Sequence, residues 1–225
     1  MADKIVNESV ADKLNSKLEK SGKLVFAVCV AVAVIVVAVI AVSFACGKSA
    51  EAGIEQVDSI SYELTKDAQE LKGDELAARQ NAALDKLAAL SEKSGIVGIR
   101  ANMLIADLKF AQKKYDEAKV AYVKAAEANK KAYTVAVAYF NAGVCAEELN
   151  DLDSAAKYYG EASADADFVL ADHALFSLGR VNETKAAYAD AKAAYEKLND
   201  LHPTSSWGQM AKSRLLALKA AGNIQ

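Results

Sequence analysis

From Leu24 to Cys46 the chain runs LVFAVCVAVAVIVVAVIAVSFAC, 23 residues without a charge. Beyond it, apolar residues return every three or four positions with Lys, Asp and Glu between them, the spacing of helices that bury one face. The first run predicts a helix of another kind. At about 1.5 Å per residue it crosses a hydrocarbon core of roughly 30 Å, whereas a secretory signal core has only about 7 to 15 residues. An uncleaved anchor over 24–46 is therefore expected. Ahead of it, Ile5, Val6, Val10, Leu14 and Leu18 stand at helical spacing among lysines, which predicts an amphipathic cytoplasmic segment over 1–23.

The later pattern repeats. FNAGVCAEELNDLDSAAKYYGEA (140–162) aligns with FSLGRVNETKAAYADAKAAYEKL (176–198), so that Gly143 and Gly179, Ala155 and Ala191, and Tyr159 and Tyr195 each recur at 36 residues. A step back of 37 residues reaches LIADLKFAQKKYDEAKVAYVKA, with Ala106, Ala118 and Tyr122 in the same places. Small residues at the first two positions let paired helices approach closely, and the aromatic at the third is expected to fill the gap to the next repeat. Tyr115, Leu152 and Tyr188 stand at the turn within each pair. Residues 51–93, split by Lys72-Gly73-Asp74, read as a degenerate first unit with Ala83, Leu87 and Leu90 in register. Pro203, a serine-rich helix start and Trp207 read as an end cap, needed because a stacked array exposes its last apolar face.

These units resemble the tetratricopeptide repeat, with its small residue at position 8, alanine at 20 and aromatic at 24. The resemblance implies an all-α helical-hairpin superhelix over 47–225, preceded by a single transmembrane helix. Repeats are expected at about 99–132, 136–169 and 172–205, with a capping helix at 206–220. The whole layout is similar to the YfgM-type, translocon-associated tetratricopeptide proteins of the bacterial inner membrane. Its ending, HPTSSWGQMAKSRL, also resembles the division coordinator CpoB and the outer-membrane assembly lipoprotein BamD.

Charge sets the direction. Lys4, Lys13, Lys17, Lys20 and Lys23 precede the apolar run, whereas Lys48 alone follows it before Glu51, Glu55 and Asp58. Positive flanks stay in the cytoplasm, so the amino terminus is expected inside and the C-terminal domain in the periplasm. Net charge is -3, without the basic field that grips nucleic acid. A single proline and abundant alanine favour helices throughout. Of the cysteines, Cys29 and Cys46 lie at the apolar run and Cys145 within a repeat, so no disulfide framework is indicated. Cys145 reads as a small buried hydrophobe. Ser43-Phe44-Ala45 before Cys46 has the small-x-small form of a processing site, which leaves Cys46 a candidate for lipidation.

Positions 2, 5, 9 and 12 of each unit predict the inner groove that the repeat implies: Arg100, Met103, Asp107 and Phe110, then Val137, Phe140, Val144 and Glu147, then His173, Phe176, Arg180 and Glu183. Such a lining suits an extended or helical polypeptide. Secretory proteins, their chaperones or the translocon are the partners that the layout implies. Two alternatives stand beside it: the phenylalanines pack into neighbouring helices and the charges form a solvated face, or the chain works as an envelope-assembly or division scaffold by self-association or through its convex face. Met103 and Asp107 depart from the lysine and asparagine of repeats that clamp a terminal carboxylate. His173 and His202 lack metal-ligand spacing, and no phosphate loop or nucleophile elbow appears, so the chain reads as a non-enzyme without cofactor.

Overall fold

A computed structural model describes residues 10–130 and 132–225, and among these all regular structure is helical. Ile5 and Val6 of the predicted amphipathic segment lie outside the described residues; for Val10, Leu14 and Leu18 the helical backbone is described. The chain divides into two units, residues 1–51 and 52–225.

Within the first unit, helix α1 (Val10–Thr65) presents residues 31–49 to the surroundings on every side. Val37 and Phe44 are each 66% exposed. A helix apolar all round has no buried stripe to hold it in a soluble core. By length and composition this stretch can cross a membrane.

In the second unit the periodicity resumes, and α1 buries Gly53, Val57 and Ile60 along one face. Gly53 is needed there: a Cβ would come within 2.7 Å of the Val97 side chain. Helices α2 (Asp74–Ser91), α3 (Gly95–Ala111), α4 (Tyr115–Ala128), α5 (Thr134–Glu148), α6 (Leu152–Ala162), α7 (Ala171–Thr184), α8 (Tyr188–Leu201) and α9 (Ser206–Ala220) follow, each packed on the next in sequence. Three hairpins result: α3–α4, α5–α6 and α7–α8.

Each hairpin turns by the same device. Lys113, Asn150 and Ala186 adopt φ of 59°, 55° and 58°, and the next residue's amide donates back to the carbonyls of Lys109, Ala146 and Asn182. This left-handed cap satisfies carbonyls that the ended helix leaves open. Asp151 then caps α6 by accepting from the Ser154 amide at 3.2 Å, and Lys119 of α4 reaches the same carboxylate at 3.0 Å. These bonds hold the Asp151 carboxyl down at about 2.

The small positions meet their purpose. A Cβ on Gly143 would stand 2.8 Å from the Tyr159 ring, and one on Gly179 would stand 2.7 Å from Cδ1 of Tyr195. Ala106, Ala118 and Tyr122 share a core in the first hairpin. Each of Tyr159 and Tyr195 thus lies across the glycine of its own hairpin and also shares a core with the next element, Tyr159 with Ala174 and Val181 and Tyr195 with Ala211 and Leu218. Its ring needs a flat floor, and only a missing or single-carbon side chain provides one.

Candidate functional site

The predicted groove residues fall into two sets. Phe140 is 8% exposed and packs on Tyr159, Phe168 and His173, with ring centroids at 5.5, 6.1 and 4.9 Å. Phe176 is 6% exposed, against Tyr195 at 5.7 Å and Trp207 at 5.0 Å. His173 stacks on Trp207 at 4.0 Å with an interplanar angle of 5°. Burial there holds its imidazole below the ordinary pKa, against the pull of Asp172. These rings join one first helix to the next, and the two phenylalanines have little surface left to offer a ligand. Val137 and Val144 are half-buried at the edge of the Phe140 cluster, and Met103 and Phe110 at the edge of the one around Tyr122. Phe110 meets Tyr115 edge-on at 5.2 Å.

The charged set forms a ladder. The Tyr159 hydroxyl donates to Glu147 Oε2 at 2.5 Å, and Arg180 of α7 donates to that oxygen at 2.7 Å. One step along, Glu183 receives a two-armed contact from Arg214 of α9. The Tyr195 hydroxyl faces that carboxylate without a normal hydrogen bond. Burial, joined by the neighbouring carboxylate, pushes the Tyr159 and Tyr195 phenols up. Arg180 and Arg214 are held more firmly charged by their carboxylate partners. Arg100 pairs with Asp58 at the α1 end of the stack.

Asp107 departs from this order. It accepts from the Tyr122 hydroxyl at 2.5 Å, yet no lysine or arginine pairs with it among the described residues. Withdrawal from solvent raises its carboxyl above the ordinary range, and the Tyr122 bond only partly offsets this.

Of the twelve predicted positions, the structure brings together Glu147 with Arg180 and Phe140 with His173. Glu183 and Arg100 instead find partners outside the predicted set, Arg214 and Asp58. Both lie beyond the three registered repeats, which is why the repeat pattern did not reveal them. Asn102 was also missed: buried, it donates to the carbonyls of Ser91 and Gly98 at 2.9 and 2.8 Å and ties α2 to α3. Gly98 beside it has no room for a Cβ, which would collide with the Lys93 carbonyl. Nothing in a one-sequence pattern marks either residue.

Cys46 is exposed and Cys145 is buried. Desolvation pushes the Cys145 thiol up to about 12, the state of an inert packing group. Among the described residues no three His, Cys, Asp or Glu side chains gather where a metal ion could sit.

Comparison with known proteins shows what the repeats are similar to. The sequence pattern described as "Tetratricopeptide repeat" matches residues 99–131 and 136–163, the hairpins α3–α4 and α5–α6. A TPR repeat-containing protein of Treponema pallidum (strain Nichols) is 33% identical over 153 residues, 67% of this chain. The match spans 64% of that protein's length. Residues 99–131 and 136–163 therefore match tetratricopeptide repeats, which as a class are scaffolds for binding other polypeptides and are generally non-catalytic.

Proposed function

We propose that this protein is a non-catalytic scaffold of the bacterial cell envelope, held in the inner membrane by the apolar part of α1 with its repeats on the periplasmic side. The observation that carries the membrane part is the unbroken exposure of residues 31–49, since so large an apolar surface is not left in water. Orientation rests on the five lysines ahead of the run. The repeats supply a surface for polypeptides in which half-buried Met103, Phe110, Val137 and Val144 alternate with charged groups. Secretory chains, periplasmic chaperones or the translocon are the partners that this location favours.

Protease added to spheroplasts tests the placement: residues 52–225 are digested while the segment before Leu24 is protected. Full protection of the repeats in sealed spheroplasts would place them in the cytosol and overturn the reading. Mass spectrometry of the extracted protein then finds an unprocessed chain; a mature form beginning at a lipid-modified Cys46 would replace the anchor with an acyl one. A photo-crosslinker at Val144 captures polypeptides in intact membranes, and a blank result from a folded protein counts against the groove.

A further inference from the structure

The ladder has a register. Its acids Glu147 and Glu183 stand at position 12 of their repeats, and the arginines that meet them, Arg180 and Arg214, stand at position 9 of the next first helix. Each cation is thus three positions earlier in its own helix than the acid it serves. The rung between α3 and α5 breaks this rule twice. Phe110 and Val144 occupy the acid and arginine positions, an apolar pair where the later rungs hold charge. The acid has moved back one helical turn to Asp107, which keeps the tyrosine bond of the series. The same three-position offset puts Asn141 where the arginine would be, and Asn141 is neutral.

Asp107 is consequently the one ladder carboxylate, among the described residues, that has its tyrosine but no cation. It is exposed at the surface, and the half-buried Phe110 and Val144 stand one turn along from Asp107 and from Asn141. Glu147 and Glu183 are 19% and 10% exposed at the side chain and already occupied. An exposed carboxylate that no internal cation covers is open to an incoming one.

We propose that Asp107 receives an arginine or lysine side chain of a bound polypeptide, the partner supplying the cation that Asn141 does not. The neighbouring apolar pair takes the flanking part of that polypeptide. This deepens the scaffold reading and rests on it. It names the chemistry of the ligand: a basic residue beside apolar ones, selected at the first-to-second repeat junction and excluded further along, where the protein's own arginines fill the places.

The test uses the full chain in detergent micelles and four pools of immobilised heptapeptides. The central residue is fixed as Arg, Lys, Gln or Glu, and the flanks are randomised among Ala, Leu, Phe and Ser. The Arg and Lys pools retain the protein about tenfold better than the Gln pool, the scale of one charge-assisted hydrogen bond. Asp107→Asn brings that ratio near one. Asn141→Arg does the same from the other side, by closing the rung internally. A wild-type protein that holds Gln and Arg pools equally, or an Asp107→Asn protein that keeps the preference, overturns the assignment and leaves the scaffold reading standing. Failure of the folded protein to bind any pool overturns both.

Discussion

The first hairpin and the two after it share one plan and differ in how tightly they use it. Hairpins α5–α6 and α7–α8 set a tyrosine ring on glycine, Tyr159 on Gly143 and Tyr195 on Gly179. They also send a glutamate forward to an arginine of the following first helix. Hairpin α3–α4 has Ala106 in one core with Tyr122, and Asp107 accepts from Tyr122 without an arginine beside it. The later hairpins are closed to one another by charge. At the first joint the ladder lacks its arginine, although Lys119 of α4 still pairs with Asp151 at the start of α6.

The largest effect is expected where backbone crowds backbone. Gly98→Ala drives a Cβ into the Lys93 carbonyl, so it costs about 3 kcal/mol and melts the α2–α3 joint first. Thermal unfolding of the full chain in micelles, followed by circular dichroism, measures it. Next, Gly179→Ala costs about 2 kcal/mol by pushing on the Tyr195 ring. The converse change in the first hairpin, Ala106→Gly, costs about 1 kcal/mol through helix propensity. If the two changes were equal in sign and size of crowding, measured with and without Tyr→Leu at the facing ring, the distinction between glycine and alanine floors would be lost.

The charge comparison follows. Glu147→Gln leaves Arg180 without its counter-ion and costs about 1 kcal/mol. Asp107→Asn, which removes an unpaired carboxylate and keeps an acceptor for Tyr122, shifts stability by less than about 0.5 kcal/mol. Unfolding midpoints in denaturant separate these, and a loss at Asp107 equal to that at Glu147 would show a hidden internal partner.

The pH effect is smaller. His173 is held below its usual pKa in the fold, so the neutral ring is preferred. Stability from this group is complete above the unfolded pKa of about 6.5 and declines as pH falls through that value toward the folded pKa. His173→Phe keeps an aromatic partner for Trp207 and should flatten that part of the stability–pH curve. Ala186→Gly relieves a left-handed non-glycine residue and raises stability by a few tenths of a kcal/mol up to about 1 kcal/mol; Asn150, already suited to that conformation, gives no such gain on the same change.

Periodicity carried most of the architecture. Spacings of 36 residues from Gly143 to Gly179 and from Tyr159 to Tyr195, and of 37 back to Ala106 and Tyr122, located the hairpins because identical packing demands similar residue types at matching offsets. The uncharged run from Leu24 to Cys46 separated a wholly apolar helix from amphipathic ones, because burying every side of a helix requires an environment that the rest of this chain does not provide. Both conclusions need only local order along the chain.

Tertiary structure decided the rest. Whether Phe140 was a groove anchor or interhelix packing could not be known from its position in the repeat; the rings of Phe168 and His173, brought in from α7 and the loop before it, cover it. Arg180 and Arg214 became partners of glutamates 33 and 31 residues earlier only because successive first helices lie side by side. Sequence by itself determined which segments are helical and that they recur. Which side chains meet across the recurrence depends on burial and on distances between helices, quantities that exist only once the stack has formed.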